Sequence, residues 1–256
     1  MSRLLILVAL VGMVSTVLLL AAEPGIAAEQ SAVPNPSAIE QMATIPSGDL
    51  KVIESKGELL FMGGNGRFII KGGVLYDAWN RKALRTVSDV NYSANRVDLG
   101  TMKIDIADFR PLSFGTGRKH VTVFVDPRCP WCAKLMGIIR DIPRLRDEYT
   151  FDLLAIPVLG EDSQALVRQL GCAKDRSSAR DALMQEAYKA PLTQVEPCDL
   201  APLQKTLVFA QLLGVNGVPY LIAHDGRIQR GMPADLVAWL EDRTGPAHAA
   251  ATKTKQ

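Results

Sequence analysis

The sequence predicts a two-domain chain of α+β and α/β character, with a small antiparallel β domain followed by a larger domain built on a mixed sheet. Two observations carry this: a glycine-punctuated β-rich segment between Gly57 and Trp79, and the apolar run VTVFV leading into an amphipathic helix pattern at VDPRCPWCAKL. A third is the order of the segments beyond that helix, strand, helices, strand, strand, helix, which suits a sheet layered with helices.

The first residues set the compartment. Arg3 precedes a nearly unbroken apolar run from Leu4 to Ala22 and then the small-residue stretch GIAA, the pattern of a secretory signal peptide over residues 1–28 with cleavage near Ala28. The rival is a retained membrane anchor, since the run approaches the roughly 17–25 residues that span a bilayer. Either way the rest of the chain is exported, where disulfides persist and exchange. Removing Arg3 and Glu23 with that segment takes one from each of the 29 basic and 27 acidic residues, so the net charge stays at +2. That balance, with no basic run carrying interleaved aromatics, argues against a polyanionic or nucleic-acid partner.

Residues 29–49, rich in Ala, Ser, Pro and Gln, read as a flexible leader. The N-terminal domain is expected over 50–82, where LLFM, the turn GGNG, RFII, the pair Gly72-Gly73 and VLYDAW alternate as an antiparallel meander. Apolar residues fall on both faces of so small a sheet, so either a second copy or the chain's own second domain is expected to cover it. Residues 83–117 read as a linker with weak helical character, ending in DFRPLSFGTGRK.

The second domain is expected over 118–243. Behind the strand VTVFV, residues Cys132, Leu135, Met136, Ile139 and Ile142 share one helix face, and Pro143 should kink or end that helix. FDLLAIP is a second buried strand, followed by a largely helical stretch from Glu161 to Leu213. YLIA, the turn HDGR and RIQR form a hairpin, and a last helix opens near Pro233 and carries Leu236, Val237, Trp239 and Leu240. The tail, 244–256, is expected to be disordered.

The chemistry concentrates in CPWC. A cysteine at a helix N-terminus meets unpaired backbone N–H groups and the positive end of the helix dipole, which favour a thiolate. Pro130 suits the first helical position, where its missing N–H costs nothing. Cys129 is therefore the candidate nucleophile, and Cys132, one short turn further, is placed to attack a mixed disulfide formed at Cys129. A c-type haem needs His after the second cysteine, and Ala133 stands there. A four-cysteine zinc site would need Cys172 and Cys198 as a second close pair, but 25 residues separate them instead of about two to four. No cofactor and no metal are therefore expected. A purely structural CxxC ring is the remaining alternative. For Cys172 and Cys198, in the helical stretch and outside any CxxC, a structural role is expected, with a second relay pair as the alternative; a bridge closing that loop would contribute roughly 3.5 kcal/mol. Pro219, at the start of YLIA, is an awkward residue for a central strand unless it sits at the strand start or follows a cis bond.

VTVFVDPRCPWCAKL, GCAKD around Cys172, PCD around Cys198, LLGVNGVPYLIAHDGRI and PADLVAWL resemble, in order and spacing, the thioredoxin-fold domain of the periplasmic disulfide isomerases DsbC and DsbG. LLFMGGNGRFIIKGGVLYD resembles their N-terminal dimerisation domain. The resemblance implies a thioredoxin-like fold with a helical insertion, a periplasmic V-shaped homodimer, and two active sites facing a shared apolar cleft. Cys129 would attack non-native disulfides in misfolded exported proteins, and Cys132 would release them. Pro130 and Trp131 would tune the pair. Pro219 would be a cis-proline beside the thiols, with Val218 offering its backbone to an extended peptide, and Cys172 with Cys198 the structural bridge. A membrane thiol reductase of the DsbD type would supply electrons. Pro-Trp is closer to the Pro-Tyr of DsbG than to the Gly-Tyr of DsbC. Val218 stands where these isomerases usually have Thr, and Val before the cis-proline is more like the oxidase DsbA, so a net oxidase is an alternative, as is a holdase chaperone with secondary thiols. Thioredoxin carries a buried acid six residues before its first active cysteine; here Val123 occupies that position, leaving no acid there to take the proton from Cys132.

Overall fold

The computed structural model describes residues 39–45, 50–63 and 69–243. The signal peptide, most of the leader, the GGNG turn beyond Gly63 and the tail expected over 244–256 lie outside the described residues.

The N-terminal sheet has four antiparallel strands in sequence order: β1 (Gln41–Thr44), β2 (Leu50–Ser55), β3 (Glu58–Gly63) and β4 (Ile69–Lys71). Lys56 and Gly57 both take positive φ, 52° and 75°, as a two-residue hairpin turn between β2 and β3 requires. Here the structure corrects the sequence reading, because β1 lies in the expected leader. QMAT is too short to show a period on its own, and its strand conformation comes from pairing with β2, Ala43 opposite Val52. VLYDAW is a second correction. It leaves the meander, and among the described residues β5 (Leu75–Asp77) pairs with β6 (Lys82–Leu84) in a separate two-stranded ribbon.

One face of the four-stranded sheet is closed by the chain itself. Ala43, Val52 and Phe61, aligned across three strands, pack against Leu84 and against Val87 and Val90 of α1 (Val87–Ala94). That helix occupies the expected linker. It starts at a capping box in which Thr86 accepts a hydrogen bond from the Asp89 N–H and the Asp89 carboxylate accepts one from the Thr86 N–H. The rest of the linker is also structured. The Val97 N–H donates to the Gly226 carbonyl (2.9 Å) and the Ile228 N–H to Asn95 O (2.8 Å). A 3-10 turn, Ile106–Phe109, comes next, and β7 (Leu112–Phe114) belongs to the second sheet. The 118 boundary therefore falls inside the domain it was meant to open. The strand escapes the sequence because it is only three residues long and flanked by proline and glycine, so its state depends on pairing with residues 151–153.

The second sheet has five strands in the order β11-β10-β8-β9-β7. β8 (Lys119–Val125) and β9 (Tyr149–Ala155) are parallel and central, while β10 (Tyr220–Ile222), β11 (Ile228–Arg230) and β7 pair antiparallel. The apolar runs VTVFV and FDLL are buried on both faces, as central parallel strands must be. On one face α2 (Pro130–Asp141) sets Cys132, Leu135, Met136 and Ile139 into the core, together with α5 (Arg176–Gln185) and α7 (Leu236–Leu240). Ile142 ends α2, and Pro143 opens α3 (Pro143–Glu148) rather than kinking a longer helix. The other face is aromatic: Phe124 meets Tyr220 edge-on and Phe209 of α6 (Ala201–Leu212), and Phe209 stacks on Phe109 at 4.9 Å between ring centroids. α4 (Glu161–Gly171), α5 and α6 form the helical insertion between β9 and β10, with residues 186–200 non-helical.

Candidate functional site

The end of β8 delivers the chain to α2 through Asp126-Pro127-Arg128. Cys129 is the N-cap, with extended backbone, and Pro130 occupies the first turn where no N–H is needed. The Cys129 N–H donates to Asp126 O at 3.0 Å and Cys129 O accepts from Ala133 N–H at 3.0 Å, so the turn and the first helical hydrogen bond fix the residue from both sides. Both cysteines carry free thiols, and both are buried, Cys132 completely. Trp131, by contrast, is 56 % exposed, with the Lys134 ammonium 5.4 Å from its ring centroid.

The Cys129 thiol donates to the Val218 carbonyl oxygen at 3.5 Å. Val218 and Pro219 sit in the loop before β10, joined by a cis peptide bond, and the Pro219 carbonyl accepts from the Gly231 N–H at 2.8 Å. The structure thus brings Cys129, Pro130, Trp131, Cys132, Val218 and Pro219 together from residues 89 apart in sequence at the sulfur-to-carbonyl contact. A second cis bond, Glu196–Pro197, lies beside Cys198 and was not anticipated.

Burial pushes the Cys132 thiol well above its ordinary value. The Asp126 backbone N–H pulls the other way, while the neighbouring Cys129 and the Asp126 charge push further up. Cys132 is therefore a protonated thiol at rest, shielded from bulk solvent. Asp126 is the residue that sequence reasoning missed. No acid stands at Val123, but Asp126 is fully buried at the end of the same strand. Its Oδ1 accepts from Arg128 N–H (2.8 Å) and Ser163 Oγ (2.7 Å), and its Oδ2 from the N–H groups of Val158 (2.7 Å) and Leu159 (2.9 Å). The available signal was an acid inside an otherwise apolar stretch immediately before CPWC. Three of its four donors, on Val158, Leu159 and Ser163, lie more than 30 residues away and could not be read from spacing.

Cys172 and Cys198 are bonded to each other, Cα–Cα 5.5 Å, tying the end of α4 to the segment before α6. Paired in this way they are not available as metal ligands. Among the described residues no group of three or more His, Cys, Asp or Glu is arranged to hold a metal.

A family model for a thioredoxin-like domain matches residues 114–244, just over half of the 256-residue chain. The chain belongs to the thioredoxin-like family. The match takes in the central strands of the five-stranded sheet, α2 and α7, and the helical insertion α4 to α6 that carries the disulfide. This thioredoxin-like chain is also similar to a probable thiol:disulfide interchange protein DsbC of Bordetella avium, 25% identical over 72% of this chain and 62% of the relative. It is similar to the thiol:disulfide interchange protein DsbC of Salmonella typhimurium, 26% identical over 77% of this chain and 78% of the relative. Against the Bordetella relatives the chain spans 54–62% of their length. Among solved structures, a disulfide interchange protein from Neisseria gonorrhoeae aligns over 54% of this chain and 94% of its own, with 25% identity and a TM-score of 0.44.

Proposed function

We propose that this thioredoxin-like chain is a periplasmic thiol:disulfide oxidoreductase that isomerises or reduces non-native disulfides in exported proteins. The observation that carries the reading is the pairing of a helix-capping thiol at Cys129 with a fully buried thiol at Cys132, beside the Val218 carbonyl. The likeness to DsbC proteins supports it. The Cys129 sulfur, as thiolate, attacks one sulfur of a substrate disulfide. A mixed disulfide forms and the substrate's other sulfur leaves as a thiolate. In isomerisation that thiolate attacks another disulfide of the substrate, and the thiolate this releases attacks the mixed disulfide, forming a substrate disulfide and expelling Cys129 as a thiolate, so no net electrons move. In reduction Cys132 attacks the mixed disulfide, the Cys129–Cys132 disulfide forms and the substrate is released with two thiols. A membrane thiol reductase of the DsbD type must then return two electrons.

Pro130 and Trp131 tune the pair, Val218 and Pro219 hold the substrate backbone, and Cys172–Cys198 is structural. Two chains pair through the N-terminal sheet into a homodimer. The decisive test is recovery of scrambled ribonuclease: Cys129→Ala is expected to lose it completely, and full recovery by that variant would sink the assignment. A second reading, net oxidase, draws on Val218 before Pro219 and on the Pro-Trp dipeptide. A reduction potential near about −120 mV, the scale of a strong oxidant, would favour it.

A further inference from the structure

A cavity of about 750 Å³ opens between α1 and the five-stranded sheet, away from the cysteines. Lys119, the first residue of β8, lines it, as do His224 and Asp225 of the β10–β11 turn, whereas Cys129 follows the other end of β8. Seven residues of strand put about 20 Å between those ends. The volume falls within the roughly 300–1,000 Å³ of small-molecule sites. Charge in the cavity is unbalanced. Of the three acids that line it, Asp89 is met by Lys82 at 3.8 Å and Asp225 by Arg227 at 2.6 Å, while Asp98 turns to its own loop and accepts from the Thr101 N–H (3.0 Å) and hydroxyl (2.8 Å). Arg96, Arg118 and Lys119, which also line it, form no salt bridge among the described residues. Two of them lie on aromatic rings instead, Arg96 over Tyr92 at 4.4 Å and Lys119 over Tyr149 at 5.2 Å from the ring centroid. A ring face holds a cation in place without cancelling its charge. A guanidinium held that way keeps its planar fork of N–H donors for a carboxylate or a phosphate. Beside these cations the wall is apolar: Val97, Leu99, Ile106 and Ile222 line the same cavity and belong to the cluster around Phe124 and Phe209.

We propose that this cavity binds a small organic anion, its carboxylate or phosphate held by Arg96 and Arg118 and its apolar body laid against Val97 and Ile222. The site is separate from the cysteine pair and does not depend on the thiol-exchange reading. Uncancelled cations call for a negatively charged group, and the apolar wall calls for a body that a bare inorganic anion lacks. Because such a ligand binds the folded chain, touching α1 and the second sheet at once, its occupancy reads out as stability.

The probes are phenyl phosphate and benzoate, each beside its counterpart without a ring, inorganic phosphate or acetate, and beside sodium chloride at equal ionic strength. Calorimetric titration into the full-length protein, with melting temperature as a second readout, is expected to show one bound aromatic anion per chain and a raised melting temperature. Which of the two binds names the charged group of the ligand, phosphate or carboxylate. The aromatic anion is expected to bind about tenfold more tightly than its counterpart, the scale of a small apolar contact. Arg96→Gln and Arg118→Gln, neither of them at the cysteine pair, are each expected to weaken binding about tenfold, as loss of a charged hydrogen bond does. Arg118 is exposed and forms no salt bridge among the described residues, so its replacement tests the site in a chain that keeps its fold. Failure of both aromatic anions to bind, a melting shift that sodium chloride reproduces, or an affinity unaltered in either variant overturns the site. A counterpart without a ring that binds as tightly as its aromatic anion overturns the apolar contact.

Discussion

At the scale of single residues, Asp126 and Cys132 make opposite demands on the same few ångströms. Asp126 is satisfied by four hydrogen bonds, and Asp126→Ala would leave several buried donors without an acceptor. We expect a loss of about 3–5 kcal/mol, read from urea unfolding midpoints. Cys132 stores stability of another kind. Its folded pKa lies above the ordinary thiol value of 9.0, so its contribution is fully present below that value. As pH rises past it, the unfolded chain gives up the proton first and stability falls, by at most about 1.4 kcal/mol per pH unit. The reduced protein is therefore expected to lose stability between neutral pH and pH ~10 faster than Cys132→Ala, and parallel curves for the two would refute this. The helix-capping cysteine pair was legible in the sequence because its geometry is local: two residues of spacing, a proline, and a helix that begins. Asp126 was not, because its importance comes from Val158, Leu159 and Ser163, which only the fold brings to it.

At the scale of elements, the hairpin of β10 and β11 shows how a local signal acquires a second purpose. HDGR reads as a turn, and Gly226 indeed takes φ +84°. A Cβ there would also stand 2.4 Å from the Val97 carbonyl oxygen, because the segment after α1 is laid against the turn. Gly226→Ala is expected to cost more than the ordinary ~1 kcal/mol of a glycine-to-alanine change in an unsuitable conformation, with the extra cost visible as a lower melting temperature. The disulfide between Cys172 and Cys198 closes a 26-residue separation within the helical insertion. Replacing both with Ala is expected to remove about 2–5 kcal/mol, checked by denaturant unfolding under conditions that keep Cys129 and Cys132 reduced. Long elements with strong periodicity, such as α2, β8 and β9, were readable before folding. β1, β7 and α1 were not, since the two strands owe their state to a neighbour across the sheet and α1 is short and weakly patterned.

For the whole molecule, the segment read as a linker is the part of the chain that most changes meaning. α1 closes one face of the N-terminal sheet, the residues behind it pair with the β10–β11 hairpin, and Phe109 stacks on α6. Pairing of two chains, as proposed above, is therefore expected to use the strands and edges that α1 leaves uncovered, not the face carrying Ala43, Val52 and Phe61. Sedimentation equilibrium of the protein is expected to give a dimer at micromolar concentration. A charged substitution at Met42, on the opposite face and 55 % exposed, is expected to weaken it. A monomer that still restores scrambled ribonuclease would remove the dimer from the mechanism.

The contact between the Cys129 thiol and the Val218 carbonyl carries one more consequence. An S–H can donate to that oxygen, whereas a thiolate cannot. In the exchange proposed above the Cys129 sulfur passes into a mixed disulfide and has no proton to give, so capture of a substrate leaves the Val218 carbonyl vacant for an N–H of that substrate's own backbone.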